Sequence, residues 1–287
     1  PFQGLEVFDA EHENIFFGRD EVICDIQTSL RKKDESGCAF VLVVGASGSG
    51  KSSLVRAGVI PAVSRYDTDD QTPSWRAGIF IPGEHADDLC TGLVKVLHSD
   101  TVLPELNLSA DGICELGEAL ADNPETAFKL KIRDTIAQTS EQPNGKARII
   151  LMIDQMEELF TLSSVTDEDR TKFLRAIQTL AQSGEVWVIG TIRSDFYAQV
   201  QNEPILMQMK EPGGQYDLLL PGPAQLRSII CHPAALAGLT YERDETTGQT
   251  LDQRILDDAV ENPETMPMLE YLLRELYENR SDDNVLL

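Results

Sequence analysis

The sequence predicts an α/β fold: a parallel sheet flanked by helices, followed by a small helical domain. Three observations carry this expectation. Strand-like and helix-like blocks alternate as far as Leu220, the order expected of parallel strands joined by crossover helices. The strand-like blocks are continuous apolar runs rather than alternating ones, as strands buried on both faces are. From Pro223 onward the strand signal fades and helical spacing takes over.

The elements follow in order. Phe40–Val44 (Phe-Val-Leu-Val-Val) is a short β-branched run, expected as a central strand. Ser52–Val63 reads as a helix. Ile79–Ile81 reads as a second strand, stopped by Pro82-Gly83. Leu89–Leu97 reads as helix, and Asp111–Ala137 as mixed helix and loop. Ile149–Ile153 is another central strand, Asp167–Gln182 an amphipathic helix, Val186–Ile192 a strand and Tyr216–Leu220 the last one. Pro221-Gly222-Pro223 then punctuates the chain, which gives domains 1–222 and 223–287. In the second, Ala224–Leu236, Leu251–Val260 and Met268–Glu278 read as helices, with Leu269, Leu272, Leu273 and Leu276 forming a packing face.

Bulk properties exclude several classes. With 287 residues, 41% of them hydrophobic, the chain can bury a sizeable core. The formal charge of −24 repels phosphate backbones, so sequence-independent nucleic-acid binding is not expected. One nucleotide remains compatible, because a few groups can concentrate positive potential locally. The five cysteines form no CxxC pair and the four histidines no metal spacing, which indicates reduced thiols in a cytoplasmic protein. Every apolar run is far below the ~18 residues of a membrane span, so no membrane is expected. The chain begins at Pro1 rather than Met, and is expected to be a segment of a longer protein.

One motif carries the chemistry. Gly45-Ala-Ser47-Gly48-Ser49-Gly50-Lys51-Ser52 fits G-x-x-x-x-G-K-[ST], with a strand before it and a helix after it. The glycines let the backbone curl so that N–H groups converge on phosphate oxygens. The helix start adds its positive dipole end. Lys51 reaches the β- and γ-phosphates and Ser52 coordinates Mg²⁺. This is a P-loop, and ATP or ADP with Mg²⁺ is the expected ligand.

Polar residues at two other strand ends extend the site. Asp154 follows Ile149–Ile153 at the carboxyl end of a parallel strand, where open α/β sheets bind ligands. It is expected to hold Mg²⁺, through water. Glu157 and Glu158 stand three and four positions later. A helical turn beginning there would return both to the Asp154 face, where one could orient or deprotonate the attacking water. Gln155 stands where many such ATPases have Glu. Val186–Ile192 runs into Arg193-Ser194-Asp195, and Arg193 could sense the γ-phosphate by bidentate hydrogen bonds. Upstream, Phe16-Phe17-Gly18-Arg19-Asp20 precedes a helix and could form one wall for an adenine ring; a staple for that helix is the alternative.

Taken in order, Phe17-Gly18-Arg19-Asp20, Gly45 to Leu54, Asp154 to Phe160, Thr191-Ile-Arg193-Ser-Asp-Phe196 and Met266-Pro267-Met-Leu-Glu-Tyr271 resemble the STAND ATPases. The resemblance runs over nearly the whole chain and is strongest to the novel STAND group. It implies an additional-strand, AAA+-like P-loop fold. It also implies a signalling switch that rests with ADP, opens on ATP exchange, self-associates and activates an attached effector, with defence among the family's roles. Nucleotide contacts would come from Phe17, Gly18, Arg19, the P-loop through Ser53, and Pro267, whose family counterpart packs against adenine. Thr265 or Met266 stands where the family usually has Gly. By analogy with NACHT-type members, Glu158 would be the catalytic acid and Glu157 its helper. The family normally continues into winged-helix and sensor modules. The rival readings are a AAA+-like mechanical ATPase and a nucleotide-binding scaffold without hydrolysis. An ABC transporter ATPase lacks its Leu-Ser-Gly-Gly signature here, and nothing points to the acceptor site of a kinase.

Overall fold

The computed structural model describes residues 1–66, 74–139, 147–262 and 266–287. Thr265, one of the two residues at the family's Gly position, lies outside the described residues. Five strands form the main sheet: β1 (Phe40–Gly45), β2 (Ser74–Phe80), β3 (Ala147–Ile153), β4 (Val186–Arg193) and β5 (Gln215–Leu218). Their order is β2-β3-β4-β1-β5. The pairs β2–β3, β3–β4 and β1–β4 are parallel. β4 therefore stands between the strand that leads into the P-loop and the strand that leads into Asp154, which is the additional-strand arrangement. Register aligns their carboxyl ends: Gly45 pairs with Arg193, and Ile153 with Gly190.

The predicted central strands are present because their residues have nowhere else to go. Every residue of β1 is buried, as is every residue of β3 except Arg148. Helices Leu89–Leu97, Ala110–Asp122 and Asp167–Ala181 supply Leu93, Leu120, Phe173 and Ile177 to the same core. The Phe80 and Phe173 rings stack at 4.9 Å. Each fully buried side chain of this size contributes about 1.5–3 kcal/mol.

Several elements differ from expectation. β2 begins at Ser74, not Ile79, because its early residues are held by polar and aromatic contacts rather than by an apolar run. Arg76 pairs with both carboxylate oxygens of Glu105 (2.8 and 3.0 Å), and the Arg148 guanidinium lies over the Trp75 and Trp187 rings. The helix after the P-loop runs over 51–66 and contains a π-helical stretch, Leu54–Val59. That stretch ends two residues before Pro61, whose missing N–H removes one bond of the regular ladder. Helices Tyr197–Gln201 and Pro204–Lys210 fill the connection between β4 and β5, and two two-residue strands, β6 (Thr240–Tyr241) and β7 (Val285–Leu286), pair in parallel.

The chain forms two compact units. One comprises 25–45 and 62–217 and holds the sheet, apart from its last residue, Leu218; the other comprises 1–24, 46–61 and 218–287. This groups the chain differently from a division at 222/223. The N-terminal residues join the helical end through Phe2, which packs with Leu226, Ile230, Leu269, Leu273 and Leu286. Within the helix Met266–Glu278, Leu269 and Leu273 are buried and Leu276 is partly so, but Leu272 is 42% exposed. The expected four-leucine face is thus narrower, with Leu272 at its solvent edge.

Candidate functional site

In the unit that carries the P-loop, local backbone geometry follows the glycines. Gly48 (φ 72°) and Gly50 (φ 84°) are both left-handed, the region glycine enters without strain. Gly50 is the N-cap of the helix that starts at Lys51 and offers no side chain to its first turn. The Ser49 N–H donates to the Ala46 carbonyl (3.2 Å), closing the curl. Lys51 is buried and its Nζ donates to the same Ala46 carbonyl at 2.7 Å. Ser49 is 1% exposed and its Oγ has no hydrogen-bond partner among the described residues. Ser47 is exposed, Ser52 is half-buried, and Ser53 Oγ accepts from the Phe8 N–H (3.2 Å).

The residues expected to frame the base are placed with the P-loop in this same unit. The Pro267 ring lies against Gly48, where an added Cβ would stand 2.8 Å from Pro267 Cγ. Phe17, Gly18 and Arg19, the expected adenine wall, each have contacts within this unit. The Phe17 ring meets His232 edge-on at 5.2 Å. Gly18 (φ 80°) lies so close to the Gln225 carbonyl that a Cβ would stand 2.7 Å from its oxygen. Arg19 is 6% exposed; its guanidinium donates to the Leu219 carbonyl (3.0 Å) and the Ser49 carbonyl (3.3 Å).

The sheet unit carries the acids. Asp154 is 1% exposed and accepts from Thr191 Oγ1 at 2.7 Å. Thr191 Oγ1 in turn accepts from the Gln155 N–H (3.0 Å), and the Thr191 carbonyl accepts from the Met156 N–H (2.8 Å). Gln155 is left-handed (φ 58°), and the helix begins only at Glu158 (Glu158–Thr161). After the left-handed step at Gln155 the chain makes a helical turn, with the Glu158 N–H on the Gln155 carbonyl (2.9 Å) and the Leu159 N–H on the Met156 carbonyl (3.1 Å). The two acids diverge. Glu157 Oε2 accepts from the Arg193 N–H at 3.3 Å, at the end of β4. Glu158 Oε2 accepts from the Gly83 N–H at 2.6 Å, in the turn after β2. The Arg193 side chain forms a bidentate pair with Asp195 (3.1 and 2.6 Å).

A profile of the novel STAND NTPase 1 family matches residues 1–287. The chain belongs to this family. Its fold is also similar to three solved structures at low identity. The Aeropyrum pernix ORC2 protein, solved in ADPNP–ADP complexes, aligns with TM-score 0.59 and 13% identity, over 91% of this chain and 62% of that one. Drosophila ORC bound to DNA aligns with TM-score 0.54 and 14% identity, over 92% and 56%. Cdc6p from Pyrobaculum aerophilum aligns with TM-score 0.50 and 13% identity, over 90% and 60%. The chain thus spans less than two thirds of these solved chains. A search of curated proteins gave no match.

The P-loop of this STAND NTPase fits a phosphate chain on its own geometry. Two left-handed glycines, a buried orphan hydroxyl at Ser49 and a buried lysine after an apolar strand all meet the needs of an anion. Mg²⁺ keeps most of its ligands from water and phosphate, so it asks few protein oxygens; in the P-loop unit the half-buried Ser52 hydroxyl is an oxygen of the kind it takes. No motif marks Thr191, whose hydroxyl holds the Asp154 carboxylate. Its one signal was a hydroxyl in an otherwise apolar strand, Val186–Ile192.

Proposed function

We propose that this STAND NTPase segment binds ATP or ADP with Mg²⁺ at Gly45–Ser52 and acts as a nucleotide-dependent signalling switch. The observation that carries the reading is the buried Lys51 behind a loop of left-handed glycines, leaving directly from the end of β1. Lys51 would neutralise the β- and γ-phosphates, Ser52 and Asp154 would hold Mg²⁺, and Pro267 would pack on the base. Residues 223–287 would act as the lid-like domain. Of the two acids, Glu157 is the better general base, since it shares the β4 end with Asp154 through Thr191 and Arg193. Glu158 is committed to the Gly83 amide. Arg193 would exchange Asp195 for the γ-phosphate; the ion pair is exposed and screened by water, so the exchange costs little.

ATP and ADP differ by one phosphoryl group. To move a two-state population from mostly closed to mostly open, that difference must supply about 5 kcal/mol. The expected partners are a second copy of the chain, and effector and sensor modules attached to it, in the cytoplasm. Among the described residues no helix is long and apolar enough to cross a membrane. The charge of −24 speaks against direct nucleic-acid binding; DNA belongs to the Drosophila ORC structure. Hydrolysis would be slow and act as a timer. A second reading, binding without hydrolysis, is favoured by the Glu158–Gly83 and Arg193–Asp195 contacts, which occupy two of the expected catalytic groups.

Light scattering with a nonhydrolysable ATP analogue and with ADP tests the switch. A larger assembly with the analogue than with ADP supports it. The same mass with both, or rapid multiple turnover, contradicts it.

A further inference from the structure

The helix Met266–Glu278 is apolar on two sides. Leu269 and Leu273 are buried in the core of their unit. Met268, Tyr271 and Leu272 turn the other way and are 61%, 43% and 42% exposed. They stand at i, i+3 and i+4, so they form one stripe along the helix. A helix that is apolar on opposite sides is normally covered on both. Single exposed leucines need no explanation, but these residues are grouped. Among the described residues, nine of the ten exposed large apolar side chains lie in this unit, all but Leu130, and the stripe holds three of them. Residues 3–6 run beside the same helix, where the Arg274 guanidinium donates to the Gln3 carbonyl (2.9 Å) and pairs with Glu6 (3.3 Å). The exposed Leu5 lies in that run.

We propose that this stripe docks a cationic amphipathic helix of a partner protein. Charge selects the partner. Glu275 stands at i+7 from Met268 and closes the stripe, where its carboxylate accepts from the Tyr271 hydroxyl. Glu6 and Glu278 stand nearby and share one cation, Arg274, at 3.3 and 3.0 Å. Three carboxylates thus face one guanidinium at this surface. A second copy of the chain would bring the same carboxylates and its own formal charge of −24, and like charges brought together oppose association. A helix with apolar anchors at i, i+3 and i+4 and Lys or Arg on its flanks answers both features: it covers Met268, Tyr271 and Leu272 and neutralises the acids beside them. Docking here needs no nucleotide, so it stands apart from the switch.

The test is fluorescence anisotropy with two labelled model peptides, added to the full chain without nucleotide at about 0.15 M salt. Both peptides carry leucine at helical spacing; one has lysine on its polar face and the other glutamate. The expected result is that the lysine peptide binds wild type and the glutamate peptide does not. Met268→Ser combined with Leu272→Ser should weaken the lysine peptide about tenfold or more. Leu236→Ser, at an exposed apolar residue of the helix Pro223–Leu236, should leave it unchanged. Equal affinity for wild type and the Met268/Leu272 variant would reveal only a general attraction to an acidic protein, and overturns the proposal. No binding of the lysine peptide, equal binding of both peptides, or an equal loss in Leu236→Ser also overturns it. Sedimentation of the chain alone identifies the other occupant: self-association abolished by the Met268/Leu272 substitutions assigns the stripe to a second copy and overturns the proposal. Should that variant melt below wild type, Glu275→Gln decides, with a loss of about threefold or more supporting the proposal and unchanged affinity overturning it.

Discussion

Thr191 stands between Asp154 and Gln155, donating to the one and accepting from the other. Thr191→Val keeps the shape and removes both bonds. Outer partners of a metal-holding carboxylate typically matter 10–100-fold, so Mg–nucleotide affinity should fall by about tenfold or more, read by calorimetry. The acids make a sharper contrast. Glu157→Gln should slow phosphate release about 100-fold or more while leaving binding intact, and Glu158→Gln should slow it much less. The opposite ranking would return the catalytic role to Glu158. These distinctions mark the limit of what a sequence carries. Gly45 to Ser52 is legible because its chemistry is contiguous. Asp154 is legible because it ends an apolar run. The Thr191–Asp154 bond joins residues 37 apart, and the divergence of Glu157 from Glu158 depends on a left-handed Gln155 that no spacing rule announces.

Helix Ala110–Asp122 contains two glycines with opposite expectations. A Cβ on Gly117 would stand 2.7 Å from the Thr91 backbone in the facing helix Leu89–Leu97, so Gly117→Ala must push the pair apart. It should cost about 1–3 kcal/mol in chemical unfolding. A Cβ on Gly112 meets nothing nearer than 3.4 Å, so Gly112→Ala should be neutral or stabilise by up to ~1 kcal/mol. If both variants melt alike, the close approach of these helices is wrong. The same packing explains which elements were readable. β1, β3 and β4 are nearly all buried and so nearly all apolar. The start of β2 was not readable, because its Trp75 and Arg76 depend on Arg148 and Glu105 far away in sequence. The β6–β7 ribbon was not readable either, with two residues per strand and 43 residues between them.

Across the whole molecule, one titration couples the helical end to pH. Glu270 lies one turn past Pro267, and burial raises its carboxyl from 4.5 to about 7. Between those values the folded chain binds a proton that the unfolded chain has lost, so stability falls as pH rises through that window. The loss should amount to about 1–3 kcal/mol. Urea unfolding at about pH 5 and about pH 8 should show it in wild type and not in Glu270→Gln; equal slopes in both would place the carboxyl in water. Nucleotide binding at the curl of Gly45–Ser52 underlies every other role proposed for this chain. Calorimetric titration of wild type and Lys51→Ala with Mg–ATP tests it most directly. The account predicts tight binding to wild type and none to a Lys51→Ala protein that melts normally. Equal affinity in the two would contradict it.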